Sequence, residues 1–138
     1  MELEQCLNFS LTRAQNIIHQ LFKAKLAPYG VTPGQYGILQ CLWDENGLTL
    51  KQIAERMYLD SSTVTGILDR MEQKDLIRRC PDPGDRRALS VMLTLKGEEL
   101  RTPVSQAIET ANQYALQNIS TEDGKYLKEL LKKLNGKE

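Results

Sequence analysis

Residues 49–71, "TLKQIAERMYLDSSTVTGILDRM", contain two helix starts separated by a turn of about four residues. Thr49 is followed three residues later by Gln52, the pair of side chains that forms a capping box at a helix N-terminus. The apolar pattern then stops, and Asp60 or Ser61 is suited to cap a second helix. This second helix carries apolar residues at helical spacing: Val64, Ile67, Leu68, Met71 and Leu76. Two short capped helices joined by such a turn predict a helix-turn-helix.

A hairpin is predicted directly after these two helices. "LIRRC" (76–80) and "ALSVMLTL" (88–95) are extended runs, and "LSVML" alternates partly between apolar and polar residues, as a half-buried strand does. The loop between them, "PDPGDRR" (81–87), is rich in the residues that turns require. A helix-turn-helix followed by a two-stranded hairpin is the winged-helix arrangement, in which the second helix enters the major groove of DNA and the hairpin reaches an adjacent groove.

Two further helices are predicted before this region. The first runs from about residue 3 to Leu26 and has a narrow apolar seam, of the kind that packs against another helix. The seam consists of Leu7, Leu11, Ala14, Ile18 and Leu21. The second helix starts with Thr32 as N-cap, Pro33 at the first helical position and Gln35 closing a capping box, and it ends at Asn46-Gly47.

Helices are also predicted after the hairpin. Thr94 restarts a helix, and apolar residues recur at helical spacing from residue 97 to about 119. Pro103 removes a backbone donor inside this helix and should kink it near Glu99. Ser120 caps a last helix. The expected fold is mainly α (α+β), in the order α-α-α-α-β-β-α-α, and 138 residues are enough for a single domain.

The overall composition excludes several classes of protein. Lys and Arg balance Asp and Glu at 18 each, so any attraction to DNA must come from a local concentration of charge. The N-terminus lacks a basic segment followed by an apolar one, and no run approaches the roughly 18 apolar residues of a membrane span. The sequence therefore predicts a cytoplasmic protein with no membrane partner.

The sequence also predicts neither a metal site nor an active site. The three cysteines, Cys6, Cys41 and Cys80, are far apart and His19 is the only histidine, so no structural zinc site can be assembled. No nucleophile–base pair, paired catalytic carboxylates or phosphate-binding glycine loop is recognisable. We expect no enzyme activity and no cofactor.

Positive charge is concentrated on the predicted wing. Residues 78–87 contain four arginines against two aspartates. At the tip, Arg86 and Arg87 can enter the negative potential of a narrow minor groove, and Asp85 can hold one of them by a charge-assisted pair. On the recognition helix, predicted over residues 61–75, small hydroxyl side chains can contact base edges or phosphates. The predicted DNA contacts are Thr49, Lys51, Ser61, Ser62, Thr63, Thr65, Gly66, Arg70, Lys74, Arg79, Asp85, Arg86 and Arg87.

The segments "LTLKQIAERMYLDSSTVTGILDRMEQKDLI" and "RRCPDPGDRRALSVMLTLKG", which follow one another over residues 48–97, resemble the MarR family of winged helix-turn-helix bacterial transcription regulators. The Asp-x-Arg signature of the family's wing falls on Asp85 and Arg87, and "LTLKG" matches the return from wing to helix. The resemblance implies a DNA-binding lobe over residues 32–97. It also implies a homodimer, whose base is formed by the helices in residues 1–30 and 97–138.

The resemblance also implies a function. Members of the family bind double-stranded DNA sequence-specifically, and the expectation for this chain is a repressor on a pseudopalindromic operator. A small-molecule effector, such as an aromatic acid, would release it. Because some members bind aromatic acids between the dimer base and the lobes, Arg13, His19 and Tyr36 are candidates for the lining of an effector site.

Two alternatives remain open at this point. The chain could be a winged-helix module that binds an acidic protein partner instead of DNA. It could also be a thiol-based redox sensor, because one branch of the family uses a first-helix cysteine that is hydrogen-bonded by tyrosines. In the alignment, Asn8 occupies the position of that cysteine, and Thr12 and Phe22 occupy those of the tyrosines. Cys6 lies two residues away, which on a helix is a rotation of about 200°.

Overall fold

The computed structural model describes residues 1–136; Lys137 and Glu138, at the end of the expected 97–138 segment, lie outside the described residues. The helices are α1 (Leu7–Leu26), α2 (Pro33–Asp44), α3 (Leu50–Met57), α4 (Ser61–Gln73), α5 (Leu95–Glu99), α6 (Arg101–Ala115) and α7 (Thr121–Leu134). The strands are β1 (Leu48–Thr49), β2 (Ile77–Asp82) and β3 (Asp85–Leu93). The mainly helical class with a winged helix-turn-helix is confirmed.

The first predicted helix is divided in the structure. Leu3–Gln5 form a separate 3-10 turn, and α1 begins only at Leu7. Cys6 lies between them with extended backbone angles, φ −78° and ψ 113°, which interrupt the helical hydrogen bonds. A second 3-10 turn, Ala27–Tyr29, links α1 to Gly30, whose φ of +68° is in the left-handed region that glycine adopts without strain.

The predicted caps position the helices of the lobe. Thr32 and Thr49 each accept the backbone N–H three residues later, from Gln35 and Gln52, whose side chains accept the N–H of the threonine in return. Asp60, not Ser61, is the N-cap of α4. The predicted caps of the later helices are also confirmed, and they are Thr94 for α5 and Ser120 for α7.

The sheet has three strands where the sequence predicted two. β2 and β3 form the expected antiparallel wing, in which Ile77 pairs with Leu93. The additional strand β1 pairs antiparallel with β3, with Leu48 opposite Val91, so the strand order is β1-β3-β2. A strand of two residues is too short to show alternation in a sequence, and its pairing is fixed by a partner more than 40 residues away.

The helix predicted over 97 to about 119 is broken at Leu100. α5 ends at Glu99, where the sequence predicted the kink, and α6 starts at Arg101 with Pro103 in its first turn. α6 ends at Ala115, a few residues earlier than predicted, because the chain turns over residues 116–119 before Ser120 caps α7.

The core of the lobe lies between α2, α3, α4 and the sheet. Its largest fully buried side chains outside α1 are Ile38, Leu39, Leu42, Leu48, Ile53, Val64, Leu68, Met71, Leu76, Ile77 and Val91. The indole N–H of the buried Trp43 donates to the carbonyl oxygen of Gly97 at 3.1 Å. A Cβ at Gly97 would lie 2.3 Å from the carbonyl oxygen of Leu76, so only glycine allows α5 to approach this closely.

We call α1, α6 and α7 the base helices. α1 packs along α6, yet among its 20 residues only Leu26 is buried, and Gly124 is the only buried residue of α7. Their exposed large apolar side chains include Leu7, Phe9, Leu11, Ile17, Tyr114, Tyr126, Leu127, Leu130, Leu131 and Leu134. None of the helices within residues 1–136 is long and apolar enough to cross a membrane.

Candidate nucleic-acid interface

The N-terminal turn of α4 is organised by Asp60. Its Oδ1 accepts hydrogen bonds from the backbone N–H of Thr63 at 2.7 Å and from the hydroxyl of Ser62 at 2.9 Å. Hydrogen bonds from Thr63, and then from Ser62, lower the pKa of the Asp60 carboxyl. The ionised carboxylate therefore fixes the first turn of the helix, and Ser62 and Thr63 remain exposed on its outer surface.

The exposed side of α4 continues from this turn. Ser62, Gly66 and Arg70 follow one another at intervals of four residues and so lie on the same helix face, and all three are exposed. A Cβ at Gly66 would meet no atom within 4 Å, so the surface there is open to a close approach. The Thr65 hydroxyl donates to the Ser61 carbonyl at 2.8 Å, which leaves its oxygen free to accept.

A cleft of about 500 Å³ separates α4 from the wing. Seven of the predicted contact residues line it: Thr49, Lys51, Ser61, Thr65, Arg79, Asp85 and Arg87. The rest of the lining is apolar and includes Leu89, whose exposed fraction is 50%. The sequence reasoning did not single out Leu89. An apolar residue in a strand can belong to the core or to a surface cleft, and the sequence alone does not show on which face of the sheet it lies.

Arg79 fastens the wing to α4. Its guanidinium lies 2.6 Å from Oδ1 of Asp69 and 3.1 Å from Oε1 of Glu72, and its backbone N–H donates to Oε2 of Glu72 at 3.2 Å. These bonds raise the pKa of Arg79 and lower the pKa of Glu72. The side chain is 23% exposed. The sequence reasoning missed Asp69 and Glu72, although their spacing of three residues places both carboxylates on one face of the helix, where a single cation can contact both.

The wing tip differs from the predicted arrangement. Arg86 and Arg87 are exposed, as expected for groups that meet DNA. The Asp85 carboxylate, however, accepts from the backbone N–H of Arg87 at 2.9 Å, and within the described residues it has no ion pair with either guanidinium. The predicted charge-assisted brace is therefore wrong in its partner: the short Asp side chain reaches the backbone of its own turn. Asp85 orders the turn that presents Arg87.

Lys74 lies at the opposite end of α4 from the cleft. Its ammonium donates to the carbonyl oxygen of Gly30 at 2.8 Å and to Oε1 of Gln35 at 2.9 Å. Gln35 is 2% exposed. The sequence placed Lys74 near phosphates, whereas the structure directs its ammonium to two acceptors of the protein.

The three candidate effector residues do not line one common groove on α1. Arg13 lines a shallow groove on α1 with Phe9, Thr12, Asn16 and Ile17, and this groove does not include His19 or Tyr36. Tyr36 is half-buried on α2, where burial and then the charge of Asp44 raise its pKa. Within residues 1–136 no group of three or more His, Cys, Asp or Glu side chains is arranged to hold a metal ion.

Comparisons with known proteins agree with this geometry. The model of the MarR family matches residues 31–89. The chain is 37% identical over 99 residues to the HTH-type transcriptional regulator TtmR of Methylorubrum extorquens, and this match covers 72% of the chain but only about half, 51%, of TtmR. It is 34% identical over 133 residues to the HTH-type transcriptional regulator MgrA of Staphylococcus aureus, covering 96% of the chain and 89% of MgrA.

A solved structure of reduced AbfR bound to DNA has the same fold. It superposes with a TM-score of 0.77 and 31% sequence identity, over 94% of this chain and 89% of AbfR. The helix-turn-helix, the wing and the near full-length match to MgrA lead to one conclusion: the chain belongs to the MarR family of winged-helix, DNA-binding transcriptional regulators.

Proposed function

We propose that this chain is a repressor that binds a pseudopalindromic operator as a homodimer and is released by a small-molecule effector. The observation that carries the proposal is the cleft, which brings hydroxyl groups of α4 and the guanidinium of Arg87 to one side of the lobe. Hydroxyl groups on a helix can bind base edges in a major groove. An exposed arginine on a hairpin can enter a minor groove and distinguish narrow grooves from wide ones. A repressor of this kind acts in the cytoplasm, where the chromosome lies.

The base helices support the homodimer. Within the segments proposed to form the dimer base, 1–30 and 97–138, α1 and α7 expose rows of apolar side chains that could pack against a second copy. A two-fold axis through such a base places two copies of α4 side by side. Their spacing on DNA is then about one helical turn, with half-sites roughly 10 bp apart from centre to centre.

The attachment of the wing to α4 also favours DNA over an acidic protein partner. Asp69 and Glu72 of α4 both bind the guanidinium of Arg79 on β2, so the start of the wing is held against the recognition helix. A hairpin held in this place can reach the groove next to the one that α4 would enter, and the width of that groove varies with the DNA sequence. The AbfR complex is a related chain in which DNA is the bound partner.

Selection from random double-stranded DNA with the full chain tests the proposal. We expect enrichment of an inverted repeat with the spacing given above, and weaker binding when Arg87→Ala replaces the wild type in a gel shift. Enrichment of no sequence, together with capture of an acidic protein by the same surface, would instead establish the protein-interaction alternative. Enrichment of a single unrepeated element would contradict the homodimer.

The effector part of the proposal rests on the groove at Arg13. Arg13 lines this groove together with Phe9 and Ile17, so a carboxylate and an aromatic ring could be bound together. We expect benzoate-type acids to raise the melting temperature of the wild type and to weaken its operator binding, and Arg13→Ala to abolish both effects. Unchanged responses in the variant would exclude this groove as the effector site.

A further inference from the structure

The C-terminal end of α4 is bonded at both points where the chain passes between base helices and lobe. We call this set of contacts the Lys74 junction. It consists of Gly30 and Gln35 on the incoming chain, Lys74 and Asp75 at the end of α4, and Thr94 and Lys96 on the outgoing chain. Lys74 and Asp75, which directly follow α4, thus make hydrogen bonds to both crossings.

On the incoming side, the ammonium of Lys74 donates to Gly30 O at 2.8 Å and to Gln35 Oε1 at 2.9 Å. Gly30 is the residue where the chain leaves α1 and its 3-10 extension, and it adopts a left-handed conformation. Gln35 Oε1 also accepts the backbone N–H of Thr32 at 3.2 Å. The ammonium therefore connects the end of α4 to Gly30, which lies in the link between α1 and α2.

On the outgoing side, the bonds run toward α4 instead. The ammonium of Lys96 donates to the carbonyl oxygen of Lys74 at 3.0 Å, and the hydroxyl of Thr94 donates to the carbonyl oxygen of Asp75 at 2.6 Å. Asp75 itself has a φ of +61°, a left-handed conformation that non-glycine residues adopt when their surroundings enforce it. These contacts cap carbonyl groups at the end of α4 with donors from the start of α5.

We propose that Lys74 is a positioning residue for operator recognition: through the junction it fixes the direction of α4 relative to the base helices. The inference rests on the proposed function, since direction matters only when two copies of α4 must fit two half-sites. α4 has 13 residues, which is about 20 Å of helix. A tilt of roughly 5° about its C-terminal end would move Ser62 by more than about 1 Å, enough to misplace groups that must meet base edges.

Lys74→Met tests the inference, because it keeps the aliphatic stem and removes the donor. We expect operator affinity to fall about tenfold with the salt dependence of binding unchanged. We also expect a smaller penalty than in the wild type when one base pair is inserted between the half-sites. Lys51→Met is the matched control on the cleft side: it should reduce the salt slope by about one and leave the spacing penalty intact.

A reduced salt slope with an intact spacing penalty in Lys74→Met would show that Lys74 contacts a phosphate, and would overturn the inference. Unchanged affinity and unchanged spacing penalty would overturn it as well. If Lys74→Met does not fold, Lys96→Met removes a donor from the other side of the same junction and should also reduce the spacing penalty. An intact penalty in a folded Lys96→Met variant would count against the junction.

A measurement without DNA keeps the inference separate from the proposed function. Spin labels at Gln15→Cys on α1 and Ser62→Cys on α4, with the natural cysteines replaced by serine and labelled chains diluted with unlabelled ones, report the direction of α4. The distance distribution should be narrow in this background and broader or shifted after Lys74→Met. An unchanged distribution would refute the junction. A wild type that selects no repeated DNA, with a changed distribution, would refute only the operator proposal.

Discussion

The lobe buries most of its large apolar side chains, whereas the base helices α1 and α7 leave most of theirs exposed. In α2, five of twelve residues are buried, and apolar side chains of α3, α4 and the sheet close around them. In α1, one of twenty residues is buried, and in α7 only a glycine is. Since apolar burial is the main favourable term in folding, the lobe gains stability from its own core, whereas α1 and α7 leave most of their apolar surface exposed, as an interface of the proposed homodimer would.

The largest expected effect follows from this contrast and concerns Leu130, whose exposed fraction on α7 is 39%. In the proposed homodimer, Leu130→Asp places one unpaired carboxylate on each side of the two-fold axis. Two such charges should raise the dissociation constant of the dimer at least 1000-fold, about 4 kcal/mol. Sedimentation velocity at micromolar concentration measures the change.

Leu89→Asp is the matched control, because Leu89 is also exposed but lies in the cleft of the lobe. This variant should remain a dimer and lose affinity for DNA through the added negative charge. Equal dissociation in both variants, or a dimeric Leu130→Asp, would remove the distinction between lobe and base.

The second prediction disturbs the lobe alone. Gly97→Ala places a Cβ 2.3 Å from a backbone oxygen that cannot move without shifting the end of α4, and it weakens the contact of Trp43 with Gly97. We expect the free energy of unfolding to fall by about 3 kcal/mol. The same substitution at Gly66, where a Cβ meets nothing within 4 Å, should raise it by about 0.5–1 kcal/mol. Urea unfolding measures the change in the free energy of unfolding for both variants. A change of the same sign in both would contradict the packing described.

The sequence predicted the lobe well because its signals are local. The capping residues Thr32, Thr49 and Asp60 each bind a backbone N–H three residues later. The spacing of these residues in the sequence is therefore enough to predict the hydrogen bond. The short strand β1 was missed because its partner Val91 is distant in sequence. The same reason explains Gly97, whose close approach to Leu76 depends on a distant packing contact.

For the candidate site, the sequence indicated which residue types are present. It did not indicate which side chains they bind within the protein. The sequence singled out the arginines of the wing, but it could not distinguish the exposed Arg87 from Arg79, which two carboxylates of α4 hold. Lys74 shows the same limit, because the sequence predicts a phosphate contact and the structure places its ammonium on two acceptors of the protein. A long flexible cation on a helix can reach phosphate or protein, and only the folded position of Gly30 and Gln35 decides between them.

The third prediction separates DNA binding from assembly. Arg87→Ala should cost about 1–3 kcal/mol of operator binding, because an exposed guanidinium on the wing tip is lost, while dimerisation and unfolding stay unchanged. Fluorescence anisotropy with the selected operator measures this cost. A concurrent loss of dimer would mean that the wing contributes to assembly.

Asp85 sharpens the same prediction, because it carries a negative charge on the surface proposed to face DNA and also accepts the N–H of Arg87. Asp85→Asn keeps the acceptor and removes the charge, so it should bind DNA as well as the wild type or more tightly. Asp85→Ala removes both and should bind less tightly than Asp85→Asn. Equal affinities of the two variants would show that the hydrogen bond to Arg87 has no part in presenting the wing.

The smallest expected effect concerns α4, whose N-cap is a titratable carboxylate, whereas α2, α3, α5 and α7 have hydroxyl caps. The folded-state pKa of Asp60 is lowered by hydrogen bonds from Thr63 and then Ser62. Its contribution to stability is therefore complete above the unfolded-state pKa, about 3.9, and is lost as the pH falls through the lower folded-state pKa.

Asparagine caps a helix about as well as aspartate but does not titrate in this range. In Asp60→Asn, the free energy of unfolding should fall less steeply between pH 5 and pH 3 than in the wild type, as measured by urea unfolding at each pH. Parallel curves would mean that the carboxylate of Asp60 is held no more firmly in the folded chain than in the unfolded one.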